Sequence, residues 1–208
     1  MKLQVALDFF TTEDALALMK LIHPYVDIIE LGSPLMYAEG FSAIKVMKEE
    51  YPDKLVLADM KIVDGGYDIG LKAYEAGADI VTTIAMTNDD TLKGLVKAAH
   101  ELGKYAMVDA IGVTDLDKRV LEAEEMGFDY ILLHTAHDTL GDDVMAPVRD
   151  LARVKKNVKH ARVGISGGIT VAQMPGICGA NPDWVVVGSG ITCARDPLNV
   201  TREIAAFK

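Results

Sequence analysis

Glu75-Ala76-Gly77-Ala78-Asp79-Ile80 and Glu125-Met126-Gly127-Phe128-Asp129-Tyr130 spell the same local event twice. A helix ends, a glycine turns the chain, and an apolar strand begins. Glycine suits that place because it adopts a left-handed backbone without steric cost, so Gly77 and Gly127 read as helix C-terminal caps. Gly103 punctuates the chain in the same way. Working outward, eight short apolar runs follow one another at residues 3–7, 28–31, 55–58, 80–84, 105–108, 130–133, 162–165 and 184–187. They are rich in Val, Ile and Leu without polar alternation, as parallel strands buried on both faces require. Stretches of helical spacing lie between them; in 91–102, Leu92, Leu95, Val96 and Ala99 share one face. Eight strand–helix units in 208 residues is about 26 residues each, near the short limit for a closed barrel. No Pro- or Ser-rich linker divides them. An open doubly wound sheet is the rival, but eight regular units favour closure. The expected fold is α/β, a single (β/α)8 barrel of the TIM type over residues 1–208.

Composition narrows the function. Half the residues are hydrophobic and a quarter are charged, which argues for a folded core rather than disorder. Acidic residues outnumber basic ones 31 to 21, for a net charge of −10. Nucleic-acid and anionic-membrane binding both need clustered Lys and Arg, so neither partner is expected. No apolar run approaches the ~18 residues of a membrane span. Asp8 interrupts the first apolar segment, and no signal-peptide cleavage site follows it. Cys178 and Cys193 have no metal-finger spacing and read as free thiols, so the expected compartment is the cytoplasm.

Several runs end on an ionisable residue: Asp8, Glu30, Asp59 with Lys61 close behind, Asp109 and His134. In a parallel barrel these ends share the face where active-site loops gather. Strand-end acids often cap the next helix. Here Thr11, Thr87 and Thr114 are available as caps, and Gly32-Ser33-Pro34 after Glu30 reads as no helix start. The acids are surplus to capping and predict a functional cluster.

The stretch Leu57-Ala58-Asp59-Met60-Lys61-Ile62-Val63-Asp64-Gly65-Gly66 is the densest in chemistry. Asp59 and Lys61 stand two apart, so an extended strand turns both side chains the same way. A lysine between carboxylates stays protonated and donates to substrate oxygens, while a carboxylate can hold a divalent cation. The plainer alternative is an ion-pair network at the rim. Two glycine turns, Ser166-Gly167-Gly168-Ile169-Thr170 and Gly188-Ser189-Gly190-Ile191-Thr192, follow the last two runs. Glycines let backbone N–H groups approach an anion, and barrels frequently hold phosphate after strands 7 and 8. Ser166 and Gly168, with Gly188 and Ser189, are therefore candidate substrate- and phosphate-binding residues. His134, beside acids at a strand end, suits general acid–base work near neutral pH. His137 completes an H-x-x-H pair, but no third nitrogen or sulfur ligand accompanies it and zinc is not expected. His23, His100 and His160 read as surface residues, and Met86, Met107 and Met126 as core filling.

Asp59-x-Lys61-x-x-Asp64 on the third strand, Glu30 on the second and the paired glycine turns together resemble the orotidine monophosphate decarboxylase superfamily. Within it, MKLQVALD, VDIIELGSP, EGFSAIKVMKE, LADMKIVDGGY, EAGADIVT and GSGITCARDP are similar to the 3-hexulose-6-phosphate synthase family, over essentially the whole chain. A sister family, the 3-keto-L-gulonate-6-phosphate decarboxylases, shares the scaffold. It carries arginine where this chain has His137, glutamate at Asp109 and arginine at Ser189; Asp109 and the Gly-Ser-Gly turn are similar to the synthases. The resemblance implies condensation of D-ribulose 5-phosphate with formaldehyde to D-arabino-hex-3-ulose 6-phosphate, through an enediolate. It implies Mg²⁺ held by Glu30 and Asp59, with Mn²⁺ as the alternative ion. His134 would be the acid/base, Lys61 would face the developing oxyanion, and Asp8 and Asp109 would orient hydroxyls. It further implies a homodimer with shared active sites, Asp64 reaching across the two-fold. Decarboxylation of 3-keto-L-gulonate 6-phosphate is the alternative activity. A Schiff-base aldolase is disfavoured, because the acids around Lys61 raise its pKa. A sugar-phosphate sensor without catalysis would not need so many ionisable strand ends.

Overall fold

Each apolar run becomes a strand, and the fifth, sixth and seventh extend by the polar residue at their C-terminal end. The computed structural model describes residues 1–139 and 145–208. The strands are β1 (Lys2–Leu7), β2 (Ile28–Leu31), β3 (Leu55–Ile62), β4 (Ile80–Ile84), β5 (Tyr105–Asp109), β6 (Tyr130–His134), β7 (Arg162–Ser166) and β8 (Trp184–Val187). They pair in chain order, all parallel, and β8 closes on β1. The helices are α1 (Thr12–Ile22), α2 (Ser33–Glu39), α3 (Phe41–Glu50), α4 (Gly66–Glu75), α5 (Asp89–Glu101), α6 (Leu116–Glu125), α7 (Ala146–Val154), α8 (Met174–Ala180), α9 (Ser189–Thr192) and α10 (Pro197–Ala205). This is the single (β/α)8 barrel that the alternation of runs predicts. Among the described residues no helix is long and apolar enough to cross a membrane.

Two apolar layers hold it. The larger lies between strands and helices, where Leu92, Leu95, Val96 and Ala99 of α5 are all buried. The smaller fills the barrel: Ala6, Ile28, Leu57, Ile80, Met107, Tyr130, Leu132, Trp184 and Val186. Side chains alternate along a strand, so the residues two positions after these also point inward. Asp8, Glu30, Asp59, Thr82, Asp109 and His134 are those residues. The period that fills the core thus also delivers the site to the C-terminal rim. Below, Trp184 packs edge-on to Tyr130 with ring centroids 5.2 Å apart. Gly164 makes room for it, since a Cβ there would fall 2.2 Å from the indole.

The opposite rim carries a fourfold device that the glycine-strand repeat foreshadows only in part. Asp27, Asp79, Asp129 and Asp183 each stand one residue before an even-numbered strand. Each accepts a backbone N–H from the preceding odd strand, at Leu3, Val56, Ala106 and Val163 respectively. Each returns its own N–H to the carbonyl of that same residue. Asp79 also binds Lys48 Nζ at 2.8 Å and Lys104 Nζ at 2.7 Å. Burial works to raise its pKa, but the two lysines and the Val56 amide outweigh burial and hold it below the ordinary carboxylate value. A depressed carboxyl stabilises the fold above its unfolded pKa, and that stabilisation disappears as pH falls through the folded value. Asp79→Asn should therefore cost about 2 kcal/mol at neutral pH. Its deficit in denaturant unfolding should shrink as the pH falls below the ordinary carboxylate value; a deficit independent of pH would contradict this role.

Four local expectations need correcting. Ser33-Pro34 does start a helix: Gly32 is the N-cap of α2, and proline in a first helical turn gives up no needed N–H. Thr11 caps α1 as expected. Asn88 rather than Thr87 precedes α5, and Thr87 instead donates its hydroxyl to the Val63 carbonyl. Asp115 rather than Thr114 caps α6, its carboxylate accepting from the Lys118 amide. Met107 is core, but Met86 is 64 % exposed because it lies in the loop after β4 rather than on an inward-facing position.

Candidate active site

One cavity opens at the C-terminal rim. Asp8, Glu30, Asp59, Lys61, Thr82, Asp109, His134 and His137 line it with Gln4 and the two glycine turns, Ser166–Ile169 and 188–190. Every strand-end ionisable residue predicted from the sequence is therefore present. Asp64 is the exception: it lies exposed after β3, outside this cavity, with its Oδ1 accepting the Gly65 amide at 2.9 Å.

Asp59 is the most heavily held group. Its residue is 4 % exposed. Its Oδ1 accepts the Thr82 hydroxyl at 2.9 Å, and its Oδ2 accepts the Ser33 hydroxyl at 2.7 Å and Lys61 Nζ. Lys61 does not reach it along an extended strand, as its spacing from Asp59 predicts. The β3–β4 register shifts between Ala58 and Ile62, and Lys61 takes a left-handed backbone with φ of 44°. A non-glycine residue in that region costs on the order of 1 kcal/mol and persists only where its surroundings over-determine it. Here the Lys61 amide donates to Thr82 Oγ1 at 2.9 Å, while its Nζ is held by Asp59 and by Ser33 Oγ at 3.1 Å. Burial works to lower the Lys61 pKa, but Asp59, Glu30 and Asp109 outweigh it and hold the ammonium above the ordinary lysine value. It is a fixed positive donor, unsuited to Schiff-base chemistry.

Glu30 lies deeper. Gln4 Nε2 donates to its Oε2 at 2.6 Å. Burial first, and then the charge of Asp59, push its carboxyl up to about 8. Asp8 is raised too, by desolvation and by Asp59. Its carboxylate nests between two glycines: a Cβ on Gly32 would meet Oδ1 at 2.1 Å, and one on Gly188 would meet Oδ2 at 3.3 Å. Four carboxylates thus crowd one cavity around a single lysine, and burial followed by the charge of Asp59 drives two of them, Glu30 and Asp8, toward protonation. Among the described residues no three His, Cys, Asp or Glu form a ready metal cluster. The donor chemistry nevertheless fits a hard divalent cation: Glu30 and Asp59 offer oxygens, and Mg²⁺ is commonly held by one or two carboxylates with the rest from water and substrate.

Asp109 and His134 form a pair, with His134 Nδ1 2.8 Å from Asp109 Oδ2. Asp109 Oδ1 accepts the Ile111 amide at 2.9 Å, and its side chain is 1 % exposed. Both oxygens are thus engaged by the protein while the residue lines the cavity. Across the cavity, Gly167 and Gly168 have φ of 115° and 63° and carry the turn after β7. A Cβ on Gly167 would fall 2.6 Å from the Thr135 carbonyl, and one on Gly190 2.4 Å from the Ile169 carbonyl. The two turns are pressed close enough that only glycine fits. The first amides of α9, at Ser189 and Gly190, lack intrahelical acceptors, and both residues line the same cavity as Ser166 and Gly168.

Sequence reading missed Gln4, Ser33 and Thr82. A glutamine in the middle of an apolar run was a usable signal for Gln4. Ser33 and Thr82 carried none, because hydroxyls are ordinary at a helix start and in a strand.

Residues 1–204 match the orotidine 5'-phosphate decarboxylase / HUMPS family profile. A curated relative from Bacillus subtilis (strain 168), named 3-hexulose-6-phosphate synthase, is 42 % identical over 197 residues, covering 94 % of this chain and 93 % of that protein. The crystal structure of 3-hexulose-6-phosphate synthase from Salmonella typhimurium superposes with a TM-score of 0.92 at 42 % identity, over 100 % of this chain and 98 % of that one. The 3-keto-L-gulonate-6-phosphate decarboxylase from Vibrio cholerae O1 biovar El Tor str. N16961 reaches a TM-score of 0.86 at 24 % identity, over 99 % and 96 % of the chains, a likeness of fold.

Proposed function

Because the chain belongs to the orotidine 5'-phosphate decarboxylase / HUMPS family, we propose that it condenses D-ribulose 5-phosphate with formaldehyde to D-arabino-hex-3-ulose 6-phosphate. The observation that carries this reading is a single cavity with Glu30, Asp59, Lys61 and His134 on one wall and two glycine turns on the other. Those are the parts needed to hold a sugar phosphate, remove a proton beside its carbonyl and stabilise the resulting charge.

The phosphate lies against the Gly168 and Gly188–Gly190 backbone, with the Ser166 and Ser189 hydroxyls beside it. His134 takes a proton from C1, and the electron pair passes to the C2 oxygen to give an enediolate. Lys61 donates to that oxygen while Asp8 orients a substrate hydroxyl. The C1 carbon then bonds to the formaldehyde carbon, and the new hydroxymethyl oxygen receives the proton that His134 holds. Glu30 and Asp59 would hold Mg²⁺, or Mn²⁺; bound there, the cation supplies Lewis-acid stabilisation of charge on oxygens. The free thiols of Cys178 and Cys193 support action in the reducing cytoplasm. Phe10, Tyr37, Val63 and Met86 expose 71, 78, 58 and 64 % of their surface on segments following consecutive strands. These apolar side chains on one half of the rim support a homodimer with neighbouring active sites.

The test assays the protein on both sugar phosphates, with EDTA and with Mg²⁺ restored. Synthase activity with formaldehyde that EDTA removes and Mg²⁺ restores is the expected result. Decarboxylation of 3-keto-L-gulonate 6-phosphate as the faster reaction would replace this reading with the sister activity. His134→Asn should also abolish solvent-deuterium exchange at substrate C1, since His134 is the one histidine that ends a described strand. Unchanged exchange, read by proton NMR, would move the base role to His137.

A further inference from the structure

We propose that Asp109 is a positioning residue that fixes the tautomer of His134, leaving Nε2 as the bare nitrogen facing substrate; this rests on the acid/base role given to His134 above. Asp109 has a side chain 1 % exposed and both of its oxygens are engaged by groups of the protein, so it acts through His134. Its two oxygens face two different donors. The Ile111 amide reaches Oδ1 at 2.9 Å, and a backbone N–H can only donate. Lys61 Nζ, a second positive partner, stands 4.0 Å from Oδ2. With Oδ1 fixed as an acceptor and Lys61 beside it, the carboxylate is acceptor at both oxygens. His134 Nδ1, 2.8 Å from Oδ2, must then carry the proton. A neutral imidazole protonated at Nδ1 has Nε2 free to accept, which is the form that a general base needs. When Nε2 takes a proton, the same carboxylate stabilises the imidazolium.

The geometry makes a sharp prediction for Asp109→Asn, a substitution of equal size. The Ile111 amide still demands an acceptor, so the asparagine carbonyl oxygen turns to it and the NH₂ is left facing His134 Nδ1. That amide donates, so Nδ1 must accept and the ring proton moves to Nε2. The wrong tautomer is locked in, rather than merely released. Asp109→Ala, by contrast, removes the constraint and allows both tautomers.

The test is ¹⁵N NMR of the full chain labelled in histidine, whose five histidines are assigned by loss of the His134 signals in His134→Asn. At neutral or mildly basic pH the parent should show Nδ1 protonated and Nε2 bare, and Asp109→Asn the reverse. Turnover should fall about 10²-fold or more in Asp109→Asn with KM within a few-fold of the parent, and less in Asp109→Ala. Parent His134 protonated at Nε2, or no inversion in Asp109→Asn, would overturn the proposal; so would a loss confined to KM. The tautomer is read without substrate, so a wrong assignment of the reaction fails the assays above while leaving this measurement intact.

Discussion

Asp59→Asn is expected to fold normally and to lose about 10³-fold or more in turnover, the scale seen when a main electrostatic stabiliser is removed from an active site. Asp59 is the junction of the cavity: Thr82, Ser33 and Lys61 all bind its oxygens, and it is one of two carboxylates offered to a cation. An asparagine keeps the shape but gives Lys61 and any divalent ion a neutral partner. Glu30→Gln should lose activity to a similar degree, yet its effect on stability has the opposite sign. The Glu30 carboxyl is pushed up to about 8 by burial and by Asp59. A carboxyl with a raised folded pKa favours the fold when protonated, and its cost grows as pH rises from its unfolded value through about 8. Glutamine carries no such cost. Without divalent metal, Glu30→Gln should therefore be at least as stable as the parent at pH above about 8 while remaining inactive. Thermal melts in EDTA across pH, paired with assays in excess Mg²⁺, measure both halves. Full parent activity in excess EDTA, or a Glu30→Gln variant that stays active, would remove the metal role from these two residues.

The fold was legible because one kind of residue dominates each strand. Val, Ile and Leu runs buried on both faces have few structural solutions, and Gly77, Gly103 and Gly127 all take the positive φ expected of helix caps. The ionisable strand ends were legible for a related reason, since the inward-facing period continues from core to rim. What sequence could not show is how Lys61 reaches its place. Spacing alone turns it beside Asp59 along an extended strand, but the chain instead spends a left-handed residue and a register shift there. The Thr82 hydroxyl, which binds both the Lys61 amide and Asp59, helps to hold that turn together with Ser33 and Asp59 on Lys61 Nζ. The aspartates at the opposite rim were visible as letters in two of their four instances. Their shared role emerges only when each is seen closing a ring with the strand before it, a pairing between neighbouring strands that no local pattern encodes.

Asp64 is the strand-3 acid that the cavity leaves out, and the proposal that a second subunit completes the site turns on it. It sits one residue past exposed Val63, in a loop whose Gly65 has φ of 66°, and among the described residues its carboxylate meets only the Gly65 amide. Lys61, three residues earlier, is committed to the home cavity. If Asp64 acts across a two-fold axis, Asp64→Asn and Lys61→Ala damage different halves of each composite site. Either variant alone should keep no more than about a hundredth of parent activity, since each lacks a charged group from every site. Mixed and allowed to exchange, half the dimers become heterodimers, each with one site that has both residues intact. Activity should then rise to about a quarter of the parent value at random mixing. The mixture must be checked for exchange by mass-tagged subunits, and each variant for folding by its thermal melt. Recovery toward a quarter requires both the dimer and the crossing of Asp64. A fully active monomer by light scattering, or no recovery after demonstrated exchange, would confine catalysis to residues of a single chain and leave Asp64 a surface acid.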